Sequence, residues 1–102
     1  MKILAIEHEQ SNVTADEFRQ YSATEALRVW ELHQQGIIRE LYFRTDRSEA
    51  VLILECESTE TAHQVLATLP FVQNGLITFE LIPLKAYPGF ARLFSHSLPG
   101  GS

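Results

Sequence analysis

Ala50-Val51-Leu52-Ile53-Leu54-Glu55-Cys56-Glu57 reads as a β-strand with aliphatic side chains on both of its faces. Successive side chains of a strand point to opposite sides of a sheet. Ala50, Leu52, Leu54 and Cys56 therefore share one side, and Val51, Ile53, Glu55 and Glu57 share the other. The first set suits a covering layer of helices. Just upstream, residues 37–45 have the same strand-forming character, and Asp46-Arg47-Ser48-Glu49 makes the turn of a hairpin. Downstream, residues 76–84 alternate Ile77, Phe79 and Leu81 with Leu76, Thr78, Glu80 and Ile82, which makes another strand. Residues 1–8 open the chain as the remaining one.

Two helices fill the gaps. Thr14-Ala15-Asp16-Glu17 has capping-box spacing, in which the Thr14 hydroxyl accepts from the Glu17 amide and the Glu17 carboxylate reaches back. The predicted helix covers 15–35 and stops at Gly36, which takes a left-handed conformation without steric cost. Ser58 is the N-cap of a second helix over 59–69, with Ala62, Val65, Leu66 and Leu69 inward; Pro70 ends it and 71–75 is a loop. The order β-α-β-β-α-β is the split βαβ motif. The expected fold is α+β and ferredoxin-like, a four-stranded antiparallel sheet with two helices on one face. Residues 1–94 form a single domain in this reading, 85–94 being a C-terminal extension, and 95–102 a disordered tail.

The sheet face away from the helices carries Ile38, Tyr42, Val51, Ile53, Leu76 and Ile82, with Glu40, Glu55, Thr78 and Glu80 between them. A solvated face seldom gathers so many large apolar groups. A second copy of the chain would cover them, giving a dimeric α+β barrel as a homodimer or higher homo-oligomer. The opposing reading is a solvated sheet with scattered aliphatics. Tyr87, Phe90, Leu93 and Phe94 would be costly on a free tail and are expected to dock on their own domain or on a neighbouring subunit.

Charge excludes some partners. With a net charge of −5 and no basic cluster beyond Arg39, Arg44 and Arg47, which are interleaved with acids, the chain is unsuited to nucleic acid. No apolar run approaches the roughly 20 residues of a membrane span, and the N-terminus lacks signal-peptide features. The single Cys56 fits a reducing compartment, so the cytoplasm is expected. No Cys-x-x-Cys, His-x-His or His-Glu-x-x-His pattern marks a metal site, and Glu7-His8-Glu9 alternates across a strand rather than chelating.

Chemistry-bearing residues gather on the first helix. Phe18, Tyr21, Val29 and Leu32 form its apolar stripe, and Ser22 and Glu25 fall inside it. A carboxylate on the buried side of a helix is expensive unless paired or set beside a polar cavity, and burial raises its pKa toward the range useful for proton transfer. Glu25 is thus the first candidate base or acid; a small roll of the helix would instead leave it on a solvated margin. His33 is a candidate proton shuttle, or a favourable charge at the helix C-terminus. Tyr21, Trp30, Ser22 and Tyr42 are candidate substrate-binding residues, the aromatic ones being equally suited to packing.

From about Glu25 to Pro88 the chain resembles the muconolactone isomerase-like branch of the dimeric α+β barrel superfamily. The residues that carry the likeness are Glu31-Leu32 before Gly36, the stretch Val51 to Ser58, Leu69-Pro70, and Phe79-Glu80-Leu81-Ile82-Pro83-Leu84. Gly36 to Ser58 aligns without a gap, and Glu25 matches a family Glu eleven residues before the helix-ending Gly. The resemblance implies proton transfer on a small organic molecule with no cofactor. The family pattern His-Leu-Trp-Arg stands here as Glu40-Leu41-Tyr42-Phe43, which removes its imidazole and guanidinium and points away from muconolactone as substrate. Two further classes stay open: a non-catalytic ligand-binding or assembly module of the same fold, and a metal- or haem-dependent redox protein.

Overall fold

The computed structural model describes residues 1–94. Strand β1 (Lys2–Glu9) is followed by α1 (Ala15–Gln34), β2 (Ile38–Phe43), β3 (Ala50–Glu55), α2 (Thr59–Leu66), the one-turn α3 (Pro70–Gln73), β4 (Ile77–Leu84) and a short 3₁₀ helix, Gly89–Leu93. The strands pair antiparallel in the order β2-β3-β1-β4. This is the α+β, ferredoxin-like arrangement that the element order requires. The expected tail, 95–102, lies outside the described residues.

Local chemistry sets the helix ends. The Glu17 amide donates to Thr14 Oγ1 at 3.2 Å and the Thr14 amide to Glu17 Oε1 at 3.1 Å, closing the capping box. At the other end Gly36 has φ +79°, the Ile37 amide donates to the Leu32 carbonyl and the Gly36 amide to that of His33, both at 3.0 Å. This Schellman-type ending turns the chain directly into β2. The second helix ends at Leu66, with Ala67 as its C-cap, short of the expected 69, and Pro70 starts α3 instead. Proline at a first helical position loses an amide that has no helical partner anyway, so residues 71–73 coil instead of forming the expected loop.

The helix side of the sheet holds a core of Ile3, Ala5, Ile38, Leu52 and Leu54, sealed by Leu32 from α1 and by Ala62 and Leu66 from α2. Cys56 is buried at its edge. Ile38 is on this side, contrary to the alternation expected for strand two. The register with β3 slips between Ile38 and Glu40, so the extra residue Arg39 bulges and Ile38 joins Leu41 on the inner face. Leu76 is likewise buried, ahead of the first residue of β4.

The outer face carries Leu4 and Ile6 beside Val51, Ile53 and Ile82, by register. Its carboxylates each have a partner: Glu40 accepts from the Tyr42 hydroxyl at 2.7 Å, Glu55 pairs with the N-terminal ammonium at 2.7 Å, and Glu80 meets His8 at 3.3 Å. Tyr87, Phe90, Leu93 and Phe94 are exposed, with the Tyr87 and Phe90 rings edge to face at 5.0 Å. Among the described residues no helix is long and apolar enough to cross a membrane.

Candidate active site

Toward the end of β1 the inner layer changes character. Ile3, Ala5 and Glu7 point to the same side, so a carboxylate follows two aliphatics into the space beneath α1. Its neighbour on β3 is the small Ala50, whose amide donates to Glu7 Oε1 at 3.2 Å. Above, α1 presents Ala15, Ser22 and Ala26, too short to fill the gap. The result is a cleft of about 650 Å³ between α1 and the sheet, walled by Phe18, Val29, Leu52, Leu69, Phe71 and Phe79. It opens along the edge strand β2, where Leu41 and Phe43 are 44% and 73% exposed.

Glu25 enters the same cleft from α1. Its Oε1 accepts from the Phe71 amide at 2.9 Å. That amide belongs to the first turn of α3, where backbone donors have no helical partner. Phe71 is itself held by an edge-to-face contact with Phe18, ring centroids 5.1 Å apart. Pro70, α3 and Phe18 therefore fix the Glu25 carboxyl. Among the described residues no group donates to the second oxygen of Glu7 or of Glu25, which leaves one oxygen of each for a ligand.

The two carboxyls are tuned unequally. Burial raises Glu7 from the ordinary 4.5 to about 7; the Ala50 amide opposes this, and the negative charges of Glu9, Glu49 and Glu25 add to it. Burial also pushes Glu25 above its ordinary value, with the Phe71 amide pulling it partly back. Glu49 is buried beside them at the β2–β3 turn, where its Oε2 accepts from the Glu9 amide at 2.8 Å. That bond, with Arg47 and Arg44 at 3.6 and 3.9 Å, holds the Glu49 carboxyl below its ordinary value and pins the turn to the end of β1.

The residues expected from sequence are distributed as follows. Glu25 and Ser22 line the cleft, and Tyr42 borders it at β2 while its hydroxyl engages Glu40 on the outer side. Tyr21 lies outside it, turned about 100° around the α1 axis from Ser22. Trp30 is exposed on the helix surface, its ring 6.2 Å from that of His33. His33 Nδ1 meets the Ile38 carbonyl at 2.8 Å and so ties the end of α1 to β2, away from the cleft. Glu7 was not among the expected residues. The alternation of strand one alone, Ile3-x-Ala5-x-Glu7, marks it as a carboxylate on a buried face. No group of three His, Cys, Asp or Glu among the described residues is arranged to hold a metal ion.

A family model described as muconolactone delta-isomerase matches residues 5–89. The chain belongs to the muconolactone delta-isomerase family. No curated protein matches its sequence. Its fold is similar to a crystal structure of muconolactone isomerase, with a TM-score of 0.71 and 19% identity over 86% of this chain and 92% of the other. It is also similar to 5-chloro-2-hydroxyhydroquinone dehydrochlorinase from Burkholderia phenoliruptrix AC1100, in complex with 2,5-dihydroxybenzoquinone. There the TM-score is 0.69, with 17% identity over 87% of this chain and 98% of the other. At these identities the likeness speaks for the fold, and the chemistry of this muconolactone delta-isomerase family member has to be read from its own cleft.

Proposed function

We propose that this chain is an acid–base enzyme acting without a cofactor on a small unsaturated ring compound, by moving a proton within it. The observation that carries the reading is the pair of carboxyls, Glu7 and Glu25, entering one apolar cleft from opposite layers. Two titratable groups whose surroundings push them unequally divide into an acid and a base. Glu7, near half-protonated at neutral pH, is the acid; Glu25 is the base. Glu25 takes a proton from a carbon made acidic by a neighbouring carbonyl. The electron pair of that C–H bond shifts through the conjugated system, and Glu7 gives a proton at its far end. The product is an isomer, and solvent resets the two carboxyls. The structurally similar proteins, an isomerase and a dehydrochlorinase, both act on small rings.

The test is solvent-deuterium uptake, followed by NMR, into a panel of unsaturated lactones and hydroxylated quinols. A substrate should exchange with the native protein, and Glu25→Gln and Glu7→Gln should each slow it about 10²–10⁴-fold, the usual contribution of a positioned acid or base. Full exchange in the folded Glu25→Gln protein would sink the assignment and leave a ligand-binding module.

The outer sheet face is the second part of the proposal. Leu4, Ile6, Val51 and Ile53 form an apolar centre that continues through Ile82 and Leu84 toward the exposed Tyr87 and Phe90. A second copy is its cover, in a cytoplasmic setting that suits the buried thiol of Cys56. Ile53→Lys should convert the particle from dimer to monomer in sedimentation equilibrium; a native protein already monomeric would refute this part.

A further inference from the structure

The charges around the cleft restrict what enters it. Among the described residues Glu7, Glu9 and Glu25 all line it, against a single cation, Arg19. Arg19 is at the exposed rim with its side chain 72% exposed, and its guanidinium is paired with Asp16 one turn earlier on α1. The other seven Lys and Arg residues are elsewhere: Arg28 bonds Thr68 and Glu31, Arg39 the Gly36 carbonyl, Arg44 pairs with Asp46 and Arg47 with Glu49, and Lys2, Lys85 and Arg92 also stand outside the lining. An organic anion seated between the two carboxyls would therefore meet like charge with no free cation to offset it, in a space whose low polarity strengthens the repulsion. The free oxygens of Glu7 and Glu25 are suited instead to hydroxyl donors, and the phenylalanine walls to a flat ring.

We infer that this site takes a hydroxylated ring compound without negative charge and rejects ring compounds bearing a carboxylate. The inference rests on the proposed site but not on its chemistry, so it is tested by binding without turnover. The probes are hydroquinone, 2,5-dihydroxybenzoate and 2,5-dihydroxybenzylamine, which share a ring and differ in charge, titrated against the native protein by ligand-observed and protein NMR at pH 8.

Hydroquinone should bind with shifts at the Glu7 and Glu25 side chains, and 2,5-dihydroxybenzoate at least about tenfold more weakly. Lowering the pH to about 5.5 protonates Glu7 and should narrow that gap. Phe43→Arg, at an exposed position on the rim, should close it by placing an unpaired guanidinium at the mouth. Equal or tighter binding of the benzoate by the native protein overturns the inference, as does binding of the benzylamine no tighter than that of the benzoate, or no binding of hydroquinone at millimolar concentration. Preferred binding of hydroquinone with no proton exchange on any ring would leave the inference standing while the enzymatic reading falls. Proton exchange on a carboxylate-bearing ring would do the reverse.

Discussion

Two rows of residues cross the inner face of the same sheet and end differently. Near the start of β1, Ile38, Leu54 and Ile3 stand side by side and are fully buried beneath Leu32. About four residues further along β1, the row is Phe43, Ala50, Glu7 and Phe79, with the short side chains Ala15, Ser22 and Ala26 among those that α1 presents to it. The first row fills its volume with aliphatic side chains. The second substitutes a methyl and a carboxyl where the first has leucine and isoleucine, and the layers stay apart. A site arises here from what the packing omits, on a frame that the closed row holds rigid.

The closed row should fail first under truncation. Leu54→Ala removes a fully buried side chain and is expected to cost about 2–5 kcal/mol in denaturant unfolding. A cost below about 1 kcal/mol would mean that this end is as loose as the other. The next effect in size has the opposite sign. Glu7 is 8% exposed, and its folded pKa of about 7 lies above its unfolded value of 4.5, so the proton is bound more tightly in the folded state. Its favourable contribution is complete below pH 4.5 and is lost as the pH rises through about 7. Glu7→Gln keeps an acceptor for the Ala50 amide and removes the titration. Its stability relative to the native protein should rise across that interval, by on the order of 3 kcal/mol above pH 7. A flat difference between pH 4 and pH 8 would show that Glu7 is not desolvated. Smallest in stability is Ala26→Leu. Leucine is nearly as good a helix former as alanine, so unfolding should change by less than about 1 kcal/mol while binding of hydroquinone is lost as the cleft fills. Retained binding would place the ligand elsewhere.

The closed row was largely legible in the amino-acid order, because burying aliphatics at period two leaves a direct trace. Leu52, Leu54 and Cys56 face inward as their alternation requires. Ile38 did not follow, since a one-residue bulge leaves no mark in a local pattern. The open row was half legible. Glu25 stood out as a charge within an apolar helical stripe. Glu7 was equally available from the spacing of Ile3 and Ala5, but it is followed by His8 and Glu9 and looks like the polar end of a strand. Trp30 and His33 drew notice by residue type, although neither lines the cleft.

Periodicity, capping residues and Gly36 were enough to determine the strands, the helices and their order, because those signals act within a few residues of chain. The meeting of Glu7 with Glu25, 18 positions apart, required the sheet and α1 to be stacked. The amide that holds Glu25 comes from Phe71, in a turn for which the linear pattern gave only a loop. Burial and the approach of like charges exist only once distant segments share one space, and it is these that set the proton affinities of the two carboxyls.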